Sequence, residues 1–147
     1  MIETRGDISV YEFWLRRRLT MFDVSIIDTD ADSYITTLDP NNLLARREQE
    51  KIEKHGPHCK AQRIDFTPLV FSADGLIGKK ANLAIKRLSA KLAAKWDRPY
   101  SVVCGYVRSR LSISLIRSVS MVVRSPRSGL PYSSHPMWLD GAGLSIY

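Results

Sequence analysis

A chain of 147 residues with 44% hydrophobic and 25% charged residues is long enough for one domain with a single sizeable core, and its composition is that of an ordinary globular protein. It contains no run of about 18 uncharged apolar residues, which argues against a membrane span or membrane partner, and its opening residues show no signal-peptide pattern. The net charge of +7 is unevenly spread: residues 1–75 carry 10 Lys/Arg against 13 Asp/Glu, while residues 76–147 carry 12 Lys/Arg against Asp97 and Asp140 alone. A half with so few acids suits a polyanion, with DNA or RNA as the first candidate and a plain solubilising surface as the alternative. Cys59 and Cys104 are too few for a disulfide framework and predict a reducing, intracellular setting in which both are packing residues.

Residues 6–13 and 20–27 read as an antiparallel pair joined near Arg16–Arg18, rich in Val, Ile, Tyr and Phe. Each carries an aspartate, Asp7 and Asp23, where a strand disfavours one. The loop-like "DTDADSYITT" follows, and then Asp39–Pro40, a good cap and first helical position. The mostly polar "NNLLARREQEKIEK" predicts a surface helix stopped at Gly56–Pro57, with Leu43, Leu44 and Ile52 as its apolar contacts. "RIDFTPLVFSADG" is apolar on both faces, which predicts a buried central strand, with Pro68 placed near its start or at a bulge.

"GKKANLAIKRLSAKLAAKW" is the clearest helix, with Ala81, Ala84, Ile85, Leu88, Leu92 and Trp96 on about one third of the circumference. Lys79, Lys80, Lys86, Arg87 and Lys91 occupy its other side, as phosphate contacts or as a merely solvated face. After Asp97-Arg98-Pro99, a second long helix over residues 100–124 is apolar almost all round and is predicted to be largely buried. Arg110, Arg117 and Arg124 form one stripe along it, which needs phosphate, carboxylates from the first half, or an edge facing water. Residues 1–127 are therefore expected to form the domain, and the Pro-, Ser- and Gly-rich residues 128–147, with Trp138, a C-terminal tail.

Two carboxylates on neighbouring strands can hold Mg²⁺ or Mn²⁺, which takes one or two carboxylates and keeps water in the rest of its shell. If Ser9 lies opposite Asp23, Asp7 and Asp23 share a face; a one-residue slip separates them. Fifteen residues separate the aspartates and Ser25 follows two after Asp23. That is the spacing of the PD-(D/E)xK nuclease signature, with Ser where the lysine belongs. Two weaker patterns compete. Asp28, Asp30, Asp32 and Asp39 have calcium-loop spacing, but Ser33 stands where that loop needs Gly, and Asp39 is better explained as a cap. "HGPHC" supplies His55, His58 and Cys59, half of a zinc site at most, and reads as a loop.

A wider resemblance joins these pieces. "RGDISV…FW…FDVSIIDTDADSY", "RREQEKIEKH", "FTPLVFSADGLIGKKA", "KLAAKWDRPYSVVCGYVRSRLSISLIRS" and "WLDGAGL" resemble, in this order and over nearly the whole chain, the region after the reverse transcriptase in certain metazoan retrotransposon polyproteins. The resemblance implies a restriction-endonuclease-like α/β fold, a mixed sheet flanked by helices, with Asp7 and Asp23 as metal ligands. It also implies an opening helix and strand that do not precede Asp7 in this sequence. Lys51 or Arg46 on the first helix could restore the charge that Ser25 lacks. The expected function is metal-dependent DNA hydrolysis, in the nucleus where the target is chromosomal. The rival expectation is an inactive nucleic-acid-binding remnant or a docking module of a larger polyprotein.

Overall fold

The computed structural model describes residues 6–29 and 39–124. Strand β1 (Ile8–Tyr11) pairs antiparallel with β2 (Leu19–Ile27), Ile8 opposite Phe22 and Tyr11 opposite Leu19. Helix α1 (Pro40–Ala61) then carries the chain back, so that β3 (Asp65–Ser72) runs parallel to β2, from Thr20 beside Asp65 to Ile27 beside Ser72. Helices α2 (Lys79–Trp96) and α3 (Tyr100–Arg124) follow. The fold class is α/β: a three-stranded mixed sheet of order β1-β2-β3 with helices on both faces.

Strand alternation decides which residues meet which helix. Phe22 packs with Phe13 and Ala84, and Phe71 with Ile85, Val103 and Val107, so that parity faces α2 and α3. The opposite parity, including Asp23, Ser25 and Phe66, faces α1, whose His55 ring lies 5.5 Å from that of Phe66. Phe13 and Trp14 belong to the connection between β1 and β2, not to a strand. The indole N–H of Trp14 donates to the Thr67 hydroxyl at 2.8 Å and folds that connection under the sheet.

Three sequence expectations need correction. α1 does not stop at Gly56–Pro57 but continues to Ala61, because its last turns bury Cys59 to 1% exposure. Gly56, lacking a Cβ, removes much of the clash that a residue before proline suffers in a helix. "HGPHC" is therefore helical, not a loop, and its groups are accounted for: His55 lies against Phe66, the His58 ring lies 3.1 Å from the Gln62 amide, and Cys59 is buried. β3 is an edge strand of the described sheet rather than a central one, which is where Pro68 is tolerated. It reads as central because α1 covers one face and α2 the other, burying Pro68 and Val70.

The third correction is α3. Only Val103 and Val107 are buried, whereas Ile116, Met121, Val122 and Val123 are 65%, 67%, 78% and 77% exposed. Beyond Leu111 the helix has outrun α2, the helix that covers its first half. Asp97 closes α2 in the left-handed region (φ 51°), which Asp tolerates better than most residues, and Pro99 opens the way into α3. Asp30, Asp32 and Ser33 of the calcium pattern, and the tail over residues 128–147, lie outside the described residues.

Candidate functional site

Asp23 and Ser25 sit two apart on β2 and therefore point to the same face, the one α1 crosses. Over them stand Lys51 and Arg47, four apart on α1. Lys51 Nζ lies 2.5 Å from Asp23 Oδ2, and Arg47 Nε donates to the Ser25 hydroxyl at 3.4 Å. The match has a geometric cause: four helical residues rise about 6 Å and two strand residues about 6.6 Å, so the two pairs stay in step. α1 runs opposite to β2, which places Arg47 over the later residue and Lys51 over the earlier. The Asp23 and Lys51 side chains are only 15% and 17% exposed. Asp23 Oδ2 takes no hydrogen bond of good geometry, so the ammonium charge is its compensation.

Asp7 lies just before β1. The paired register ends at Ile8 opposite Phe22, so Asp7 precedes the regular ladder rather than standing in it. Ser9 faces Met21, not Asp23, so the pairing that the sequence condition named is not the one observed. The Asp7 main chain donates to Phe22 O at 3.0 Å, and its Oδ2 accepts the Val24 N–H at 2.7 Å. The carboxylate thus takes a ladder position that a backbone carbonyl ordinarily fills.

Arg46 is turned away, paired with Glu50 at 3.3 Å on the exposed side of α1. Of the two basic candidates, it is Lys51 that the fold brings to Asp23. Among the described residues no group of three or more His, Cys, Asp or Glu side chains converges to hold a metal ion.

The basic residues divide differently from the sequence reading. Lys79, Lys80 and Lys86 are exposed on α2. Arg87 Nε instead donates to Phe13 O at 3.2 Å and Lys91 Nζ to Glu12 O at 2.9 Å, pinning the β1–β2 connection to α2. Arg110, Arg117 and Arg124 lie on the exposed side of α3, so water satisfies the requirement that made them conspicuous.

Four features escaped the sequence reading. Arg47 is one of them, and the i, i+4 spacing to Lys51 was its only signal. Glu48, 5% exposed, accepts the Lys80 main-chain N–H at 2.8 Å and caps α2 from another helix. Arg18 pairs with Asp65 at 3.4 Å. Arg108 donates to Asn82 at 2.7 Å and also hydrogen-bonds the Cys104 thiol, which with Tyr100 and Ser89 holds that thiol below its ordinary pKa against the effect of burial.

No protein-family model, curated protein or solved structure matches this chain. No helix among the described residues is long and apolar enough to cross a membrane.

Proposed function

We propose that the domain is a retrotransposon-derived, restriction-endonuclease-like module that acts on DNA phosphodiesters through Asp7, Asp23 and Lys51. The observation that carries this reading is the Lys51–Asp23 contact. It supplies, from α1, the ammonium group that Ser25 cannot supply from β2. The mixed sheet with helices on both faces and the resemblance of the sequence motifs support the same reading.

Asp7 and Asp23 would hold Mg²⁺ or Mn²⁺, which when bound supplies a neutral-pH hydroxide and neutralises charge on the scissile phosphate. The chain's own groups do the rest. Lys51 is held at Asp23 with little freedom, so its N–H groups are placed to orient water and stabilise charge developing on phosphate oxygen. Ser25, accepting from Arg47, can donate its hydroxyl proton to a phosphate oxygen. Arg47 also contacts Glu50 at 3.1 Å and remains partly exposed, a position from which it can anchor a neighbouring phosphate.

A second reading has its own observation. Asp7 already satisfies the Val24 N–H, which favours a remnant that binds nucleic acid without cutting it, or a docking module. Mn²⁺-dependent nicking of supercoiled plasmid separates the two. Nicking that Asp23→Asn and Lys51→Met each abolish supports the nuclease. DNA binding with no nicking at any Mn²⁺ concentration supports the remnant.

A further inference from the structure

We propose that the open edge of β3 is a groove for single-stranded nucleic acid, an inference that rests on the nucleic-acid reading above and assigns it a surface that meets the basic face of α2 only at Lys80. A cavity of about 440 Å³ lies there, between the second half of α1 and the start of α2. Its apolar walls are Trp14, Ile52, Phe66 and Leu83, and Lys60 and Lys80 stand at its rim. Both lysines are exposed, and the one carboxylate in the wall, Asp65, is compensated by Arg18.

Charge and shape together select the occupant. The free cations call for an anion, and the aromatic and aliphatic walls call for flat apolar faces beside it. A duplex hides its base faces and offers phosphate alone, whereas a single strand exposes both, and stacking on aromatic side chains is sequence-tolerant.

The backbone argues against a peptide strand as the occupant. Val70 O accepts Gly78 N–H at 2.9 Å and Ser72 N–H donates to Leu76 O at 3.0 Å, so residues of this parity turn their main chain away from β2. Phe66 and Pro68 share that parity. Pro68 has no N–H, which leaves Phe66 as the donor on this stretch of the edge, too few for a ladder. α1 links the groove to the candidate site, since Lys51 faces Asp23 and the next residue, Ile52, lines the groove.

Trp14 makes the groove testable. The chain has three tryptophans, and Trp96→Phe with Trp138→Phe leaves Trp14 as the sole reporter. Titration of that protein with a short oligothymidylate should quench Trp14 emission. Lys60→Glu with Lys80→Glu should weaken binding about tenfold or more, with unchanged circular dichroism, and Lys60→Gln with Lys80→Gln should weaken it less. A duplex of equal length should leave Trp14 unchanged. Oligothymidylate binding that neither quenches Trp14 nor responds to the lysine variants overturns the groove and leaves nucleic-acid binding standing. Absence of binding to single-stranded and duplex DNA alike overturns both.

Discussion

Glu48 of α1 and Lys80 of α2 are joined by a 2.8 Å hydrogen bond from the Lys80 main-chain N–H to the Glu48 carboxylate. α2 begins at Gly78, whose lack of a side chain leaves the helix without a cap of its own, and the negative charge sits at the positive end of the helix dipole. Glu48→Ala should cost about 2 kcal/mol, the range for a buried hydrogen bond to a charged group, and Glu48→Gln clearly less. A Cβ at Gly78 would collide with the Glu48 carboxylate and crowd the Val70 carbonyl, so Gly78→Ala should destabilise by disturbing the same contact. Urea denaturation of the three variants checks this; equal stability of Glu48→Ala and wild type would refute it.

Lys51 and Asp23 should be coupled. Lys51→Met leaves the Asp23 carboxylate largely buried and without compensation, a change that costs about 3 kcal/mol at buried sites. Asp23→Asn with Lys51→Met removes both charges and should recover much of that loss. A double-mutant cycle with no coupling energy would mean that the ion pair contributes nothing in solution.

The elements that sequence placed well are those whose apolar pattern is read locally. The β1–β2 pair, the start of α1, the end of α2 and the start of α3 follow from the apolar pattern, from Asp39–Pro40 and from Asp97-Arg98-Pro99. What escaped depends on packing between elements distant in the chain. β3 is covered on both faces although it lies at an edge, so its composition could not reveal its position. The apolar surface of α3 suggested burial, but no pattern within α3 records where α2 ends. The place of Asp7 was not legible, because it lies just before the ladder that fixes strand parity, whereas Asp23 lies within β2 as its apolar neighbours suggested. The Lys51 contact was legible only as one of two basic residues on the helix, because choosing it over Arg46 requires the rotation of α1 over β2.

The basic face of α2 should bind duplex DNA of unrelated sequences with similar affinity, with log K falling steeply against log salt as counterions are released. Lys79→Ala, Lys80→Ala and Lys86→Ala together should flatten that slope by roughly 3 × 0.9. Arg87 is a poor choice for this test, since its bond to Phe13 O makes Arg87→Ala a structural change as well. A salt slope identical in wild type and triple variant would remove α2 from the interface.

The two thiols should differ in reactivity. Burial raises the pKa of Cys59, which is 1% exposed, so both access and ionisation protect it. Cys104 is half-buried, and its thiolate is favoured chiefly by the Arg108 hydrogen bond. Iodoacetamide should therefore modify Cys104 first, and at a pH below that needed for an ordinary thiol. Arg108→Ala should move the onset of Cys104 labelling to higher pH and leave Cys59 unmodified until the protein unfolds. Mass spectrometry of timed reactions reads both sites, and faster labelling of Cys59 would contradict the assignment.

The slot beside Asp23 gives the sharpest test of the nuclease reading. If Lys51 fills the role that the strand lysine has in the PD-(D/E)xK pattern, Ser25→Lys alone should add little, because a second ammonium would be forced against Lys51 and Arg47. Its like charge should instead loosen the α1–β2 contact and lower stability by about 1 kcal/mol. On a Lys51→Ala background the same change should act in the opposite direction, restoring Mn²⁺-dependent nicking that Lys51→Ala had removed. Asp7→Ala should abolish the restored activity, since one of the two carboxylates is then gone. Plasmid nicking by the four proteins settles the matter. Strong gain from Ser25→Lys in the wild-type background would mean that Lys51 is only a structural counter-ion of Asp23. Failure of the swap in a protein that still binds DNA and Mn²⁺ would move the fault to Asp7, whose carboxylate is engaged by the Val24 N–H.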